Sequence, residues 1–248
     1  ELNKKLEKHS SRVLKKDCLD LPDKVYVKRL VELTPEQQKA YDEMKREAMT
    51  IINDDLVNVT TVLAQITKLQ QICCGFIIDS NGDPQPIENN RYAALMEILE
   101  EADGQKVVIW ANYRHDIKNI LKQVRSVYGF DAAKGFYGDT KDSERQDIVT
   151  DFQNPDSKLQ YIVANPRTAG YGLTLTESNT VVYFSNSYDL EIRVQSEERV
   201  HRIGQTKKCT YIDLVTEKTV DEKIIKSLRK KINISSEVMG EELKTWLV

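Results

Sequence analysis

Residues 195–205, QSEERVHRIGQ, decide how this 248-residue chain reads. Gln195, Arg199 and Arg202 stand four and then three residues apart, so on a helix they form one stripe of polar side chains. Gly204 follows where such a helix would end on a left-handed residue. Two guanidiniums on one face repel each other unless an anion lies in front of them, and arginine's planar five-donor fork suits phosphate oxygens. The pattern points to a polyphosphate. The same residues, with Glu197 and Glu198, also fit an ordinary solvated helix face carrying a few ion pairs.

Working outward, the chain from Lys106 onward alternates short apolar runs with helical periodicity. Strands are expected at 107–110, 132–136, 160–163, 181–184 and 210–215, and helices at 115–127, 143–152, 191–203 and 220–231. Continuous apolar strands alternating with helices mean an α/β fold, a parallel sheet with helices on both faces. Ligands in such sheets meet the loops at the carboxyl ends of the strands.

Upstream, a lysine-rich helical pattern leads into an alternating, strand-like VYVKRLVEL at 25–33. Thr34, Pro35 and Gln37 form a helix start, with Thr34 as cap, Pro35 in the first turn and Gln37 closing a capping box. One helix is expected to about Ile52 and a second over 56–73, whose Val59, Val62, Leu63, Ile66, Leu69 and Ile72 follow the helical period. The turn-rich DSNGDPQPIENN at 79–90 is the best domain boundary, and an amphipathic helix is expected over 91–102. The tail, 235–248, reads as a last short helix on which Trp246 and Leu247 are the packing residues.

Thirty-six basic and 39 acidic residues leave a net charge of -3, so a nucleic-acid partner has to be met at local clusters. Lys4, Lys5, Lys8, Arg12, Lys15 and Lys16 form one such run, which also fits a solvated helix face. The four cysteines, Cys18, Cys73, Cys74 and Cys209, include no C-x-x-C and have no histidine cluster beside them, which supports neither a disulfide framework nor a metal site. A reducing compartment follows. No apolar run reaches membrane-spanning length and the start lacks a signal-peptide core, so the expected location is cytoplasmic or nuclear, without a membrane partner. A chain opening without Met inside a charged helical pattern reads as a piece of something larger.

The string QSEERVHRIGQ resembles the closing motif of the Swi/Snf-type ATPases, a branch of superfamily-two helicases, written Q-x-x-x-R-x-H-R-I-G-Q. It matches at Gln195, Arg199, His201, Arg202, Ile203, Gly204 and Gln205. His201, between two arginines and without a Ser or Cys nucleophile placed to use it, is expected to have a structural or hydrogen-bonding role. The segment Ala169-Gly170-Tyr171-Gly172-Leu173-Thr174-Leu175 is similar to the family's A-G-x-G-L-N-L motif. A lone G-x-G is weak, and Leu175 stands where a dinucleotide fingerprint needs its third glycine. Bare amides at a Gly-rich turn can nonetheless approach a phosphate closely. Two departures stand out: Thr174 replaces the family's Asn, and Pro166-Arg167 replaces Ser-Thr, leaving Thr168 as the hydroxyl contact and Arg167 as a phosphate contact.

Elsewhere, LTPEQQKAYD and KLQQIC resemble the family's helical protrusion and connector, while Arg12, Lys15, Leu21 and Pro22 resemble the segment leaving the first motor lobe. The strand at 106–113 resembles the one opening the second lobe, with Asn112, Tyr113 and Arg114 at its carboxyl end. Gly138, Arg145 and Phe152 resemble the next element, with Arg145 bracing the fold. Ser185-Asn186-Ser187-Tyr188 stands in place of D-x-D-W-N-P, which resembles the compact bacterial and viral branch more than the nucleosome remodellers.

The resemblance implies a RecA-like lobe over 91–232, preceded by a linker and helical protrusion over 1–90 and followed by a tail helix over 233–248. Nowhere does G-x-x-x-x-G-K-[ST] or D-E-x-H occur. ATP with Mg2+ would therefore be held mainly by an absent N-terminal motor lobe, with no metal ligand in this chain. The resemblance places Arg202 as arginine finger, Arg199 beside it, Gln195 steering both, and Gly172 at the nucleotide. It gives Arg167, Thr168, Gly170, Thr174, Asn112 and Arg114 to sequence-independent contact with DNA, and expects the chain alone to be inactive. The rival reading is a non-catalytic module docking an acidic protein through the arginine stripe. A strand-separating helicase shares every motif with a translocase.

Overall fold

The computed structural model describes residues 20–52, 59–169 and 173–230. The lysine-rich start with Arg12 and Lys15, the expected tail helix, Gly170 and Gly172 lie outside the described residues.

Strands β1 (Lys24–Val31), β4 (Val107–Trp110), β5 (Ala133–Phe136), β6 (Tyr161–Ala164), β7 (Thr180–Tyr183) and β8 (Cys209–Thr216) form one parallel sheet in the order β1-β8-β7-β4-β6-β5. Successive β4 side chains enter opposite cores. Val107 and Ile109 join the cluster under α3 (Arg91–Glu101) and α4 (Arg114–Tyr128), whereas Val108 and Trp110 join the one with Ile148 and Phe152 of α5 (Asp142–Gln153). All four are fully buried, which is why the strand reads as an unbroken apolar run. Each such side chain contributes about 1.5–3 kcal/mol by leaving water.

The capping box forms as the sequence requires: Gln37 N donates to Thr34 Oγ1 at 3.2 Å and Thr34 N to Gln37 Oε1 at 3.1 Å. It opens α1 (Pro35–Ile52), which pairs with α2 (Val59–Cys74). Val62, Ile66, Leu69 and Ile72 of α2 pack with Val215 of β8 and with Ile224 and Ile225 of α8 (Val220–Arg229). The helical pair thus shares a core with the sheet.

Two features of the upstream region differ from the sequence reading. The strand-like stretch at 25–33, placed in the linker over 1–90, supplies the edge strand of this sheet, paired with β8 along its whole length, with Tyr26 stacked 5.4 Å from Tyr211. The polar loop at 79–90 holds a strand, β3 (Pro84–Pro86), paired with β2 (Phe76–Ile78) in a short hairpin. Two prolines flanking Gln85 hide that strand in sequence, since proline normally breaks a ladder and is tolerated at an edge.

Nor does residue 90 separate bodies in space. Arg91 is fully buried and ion-paired with Asp221; its Nε donates to the Cys73 carbonyl at 3.1 Å and its Nη1 to the Leu214 carbonyl at 3.3 Å. One guanidinium ties the end of α2 to β8 and α8. Among the described residues no helix is long and apolar enough to cross a membrane.

Candidate functional site

Helix α7 (Leu190–Glu197) starts on Asp189, whose Oδ1 accepts from Glu191 N at 3.0 Å and Ile192 N at 3.3 Å. The sequence predicts a helix to 203, but the α-helix stops at Glu197 and Arg199 and Arg202 stand on the turns beyond it. Beyond the helix the carbonyls turn to other partners. The Arg199 carbonyl accepts from Leu175 N at 2.9 Å, and the Val200 carbonyl from Arg202 N at 3.1 Å and Gln205 Nε2 at 3.4 Å. At the stop the backbone tightens, Arg199 N and Val200 N bonding the Ser196 and Glu197 carbonyls three residues back, and the carbonyls engaged beyond it keep the ladder from resuming. Gly204, at φ +99°, closes the turn.

Gln195, Arg199 and Arg202 are therefore not one helical stripe. Gln195 stays on the helix, its Nε2 donating to Glu191 Oε1 at 2.9 Å. Arg199 is half-buried, with Nε donating to the Gln195 carbonyl at 3.0 Å, and Arg202 is exposed. Burial first, and then the neighbouring Arg202 charge, hold the Arg199 pKa below its ordinary value, against the opposing Glu198 charge. Among the described residues neither guanidinium is ion-paired with a carboxylate.

What lies under the turn is tightly paired. Arg193 bonds Glu197 at 2.8 Å and Asp213 at 2.5 Å, and Glu197 also takes Lys24 and Tyr26, each at 2.8 Å. Burial opposes the Glu197 charge, yet Arg193 and Lys24 together keep its carboxyl below the usual range. His201 has the hydrogen-bonding role read from its surroundings, its Nε2 donating to the Pro22 carbonyl at 2.7 Å.

The remaining site residues sit at the other end of the sheet. Asn112 follows β4, Arg114 opens α4, and Arg167 and Thr168 lie in the single turn α6 (Pro166–Ala169) after β6. Asn165 organises them: its Nδ2 donates to the Asn112 carbonyl at 2.8 Å, and its Oδ1 accepts from Arg167 N at 2.9 Å and Thr168 N at 3.3 Å. Arg114 pairs with Asp139 at 3.0 Å and Arg167 with Asp189 at 3.9 Å. A Cβ on Gly138 would stand 3.1 Å from the Arg114 guanidinium, so the glycine permits that approach.

The expectation that every ligand group meets the carboxyl ends is thus corrected for the arginine turn. Helix α7 leaves β7 at its carboxyl end and runs back along the sheet, which delivers Arg199 and Arg202 to the amino ends of β7 and β8. The chain from Asn165 to Ser178 joins the two places, with half-buried Thr174 along its course. Among the described residues no group of three or more His, Cys, Asp or Glu side chains is placed to hold a metal ion.

Sequence reasoning assigned no role to Gln153, Arg193, Gln205 or Asp213, which hold this arrangement together. Arg193 and Glu197 stand at helical pair spacing, and Gln205 belongs to the quoted motif, so a signal existed for those. Gln153 and Asp213 carry none.

Residues 90–204 match the helicase conserved C-terminal domain. The parallel sheet and this match together define a RecA-like helicase C-terminal lobe. Chromatin structure-remodeling complex subunit snf21 of Schizosaccharomyces pombe is 27% identical over 255 residues, covering 96% of this chain and 21% of that protein. An uncharacterized ATP-dependent helicase of Mycoplasma genitalium is 26% identical over 241 residues, covering 96% of this chain and 22% of its own length. Among solved structures, the Sulfolobus solfataricus SWI2/SNF2 ATPase core in complex with dsDNA has a TM-score of 0.70 at 28% identity, covering 94% of this chain and 49% of that one. The C-terminal domain of a SWI2/SNF2 ATPase from the same organism has a TM-score of 0.66 at 25% identity, covering 90% and 98%. Residues 90–204 thus carry a helicase C-terminal domain, and the chain's likenesses include ATPases of the SWI2/SNF2 type. The chain spans about a fifth of the length of these two curated relatives.

Proposed function

We propose that this lobe works in an ATP-dependent double-stranded DNA translocase or helicase, reaching over to a nucleotide held mainly by an N-terminal motor lobe. One observation carries the reading: Arg199 and Arg202 stand three residues apart on one hydrogen-bonded turn, the Arg202 charge helping burial to hold the Arg199 pKa down, and among the described residues neither has a carboxylate ion pair. Such a pair fits the anionic tail of a nucleotide. Bound ATP, with Mg2+, supplies the phosphoryl group whose transfer to water drives the cycle. Arg202 is the finger toward the γ-phosphate, half-buried Arg199 stands behind it, Gln195 steers their approach, and Gly172 lets the backbone come near.

At the carboxyl ends, Asn112, Arg114, Arg167 and Thr168 face the DNA backbone, and Gly170 and Thr174 of the following stretch belong to the same contact. Contacts of this kind read charge and shape rather than bases, so binding is sequence-independent and falls steeply with salt. The stretch from Asn165 to Ser178 carries motion between the DNA surface and the arginine turn. The relative solved with duplex DNA supports this reading by its 28% identity across 94% of the chain.

Arg202→Ala in the two-lobe protein tests the assignment. Hydrolysis is expected to stop while nucleotide binding stays, and normal turnover by that variant removes the finger role. The chain by itself is expected to show no ATPase. A second reading rests on Ile203, 69% exposed beside the two arginines, which suits an acidic, partly apolar protein partner. Adding a separate first lobe distinguishes the two, because only a motor half restores DNA-stimulated hydrolysis.

A further inference from the structure

The motif's last residue does not face the proposed nucleotide side at all. Gln205 is buried, and its Nε2 donates to the Ser178 carbonyl at 2.8 Å, the Thr176 carbonyl at 3.1 Å and, more weakly, the Val200 carbonyl at 3.4 Å. Its Oε1 accepts from Lys207 N at 2.9 Å. On the near side of the turn, Leu175 N donates to the Arg199 carbonyl at 2.9 Å. The exposed Arg202 therefore stands between two anchors, and both fasten the turn to the same strip, residues 173–178. That strip is held in turn by α5: Gln153 Nε2 donates to Thr176 Oγ1 and Gln153 Oε1 accepts from Glu177 N, each at 3.1 Å.

We propose that Gln205 is a positioning residue, fixing the Arg199–Arg202 turn to the strip that Gln153 clamps from the other side. This rests on the arginine reading above. Arg202 has no described side-chain bond of its own, so its direction comes from its backbone, and the backbone is held by Leu175 and Gln205. A turn released at one end keeps its charge but loses its aim. Misplacement of a reacting group by about 1 Å costs about 10²-fold in rate.

Gln205→Met keeps length and removes every donor, whereas Gln205→Glu turns a carboxylate onto three carbonyls. In the full two-lobe protein, both are expected to lower kcat about 10²-fold with nucleotide KM within a few-fold of wild type. Hydrogen exchange, read without turnover, is expected to speed up at Leu175 and at 199–205 while the amides of β4 and β6 keep their protection. Gln153→Met, a change at a half-buried position, is expected to give the same local exchange signature with a smaller loss of kcat. Normal kcat in Gln205→Met beside an inactive Arg202→Ala overturns the positioning role and leaves the finger reading standing. Normal turnover in Arg202→Ala overturns both. Faster exchange across the whole sheet, with KM and kcat changing together, reduces Gln205 to a packing residue and also overturns the proposal.

Discussion

The arginines at the two ends of the sheet are held in opposite ways. Arg114 and Arg167 have side chains 63% and 60% exposed, and each leans on a carboxylate, Asp139 or Asp189. Exposed pairs of this kind are worth about 0–1 kcal/mol, so an incoming phosphate can take either arginine over and later return it. Arg199 and Arg202 have no described ion pair, and their turn is pinned by backbone carbonyls and by Gln205. Loosely paired charge suits a surface that must grip and release a DNA strand repeatedly. Unpaired charge on a fixed turn suits one oriented contact.

The largest effect should separate the two ends outright. Arg202→Ala in the two-lobe protein is expected to lower kcat by about 10³–10⁵-fold while DNA affinity and its salt dependence stay at wild-type values. Arg114→Ala and Arg167→Ala are each expected to flatten the plot of log affinity against log salt by about one charge, with basal hydrolysis little changed. If Arg202→Ala weakens DNA binding as much as Arg167→Ala does, the ends do not divide the work and the comparison fails.

Next in size is the support beneath the arginine turn. Asp213→Ala leaves Arg193 buried with one partner fewer, and breaking a buried pair typically costs about 3–5 kcal/mol. Denaturant unfolding at neutral pH should show a loss of that order. A loss within the range of an exposed pair would mean that Glu197 and Asn186 alone satisfy the guanidinium.

The helices near the carboxyl end carry a different sensitivity. Asp116, in the first turn of α4, is fully buried with Oδ2 unpaired, and burial raises its pKa to about 8 despite the nearby Arg91 charge. The folded state keeps a proton that the unfolded chain releases near pH 4. Its stabilising share is therefore complete below pH 4 and is lost as pH rises toward 8, by about 1.4 kcal/mol per pH unit while only the folded state holds the proton. Asp116→Asn should raise stability at pH 7 and flatten that slope. Glu197 acts with the opposite sign: its depressed carboxyl stabilises above the ordinary carboxylate pKa, and the benefit disappears as pH falls through its folded value.

How far these regions were legible follows from what fixes each. Strands β4 and β6 declare themselves because both faces are buried, and the start of α1 because Thr34 and Gln37 bond within four residues. The end of α7 does not, since the groups that hold the turn beyond it, Leu175 N and Gln205 Nε2, arrive from a loop and from beyond the turn. Helical spacing put Gln195, Arg199 and Arg202 on one face; tertiary hydrogen bonds moved the last two off the helix. The same holds for β1, whose alternating sequence announces a strand but not its partner β8, 185 residues downstream in register. Arg193 was legible as a helical pair with Glu197, yet Asp213, its second carboxylate, comes from another strand.

The smallest expected effect probes the carboxyl end most directly. Asp139 holds Arg114 at 3.0 Å and Lys118 at 3.5 Å, so on the proposed reading it would compete with DNA phosphates for both cations. Asp139→Asn removes the competing charge and leaves the loop's shape. Because an exposed pair contributes about 0–1 kcal/mol, DNA affinity should rise by no more than about fivefold at low salt, and the gain should fade as screening increases. The same substitution should leave nucleotide binding unchanged, since the arginine turn lies at the opposite end of the sheet. Weaker DNA binding by Asp139→Asn would mean that the carboxylate orients Arg114 toward the strand instead of withholding it, and the carboxyl end would then be as fixed as the amino end.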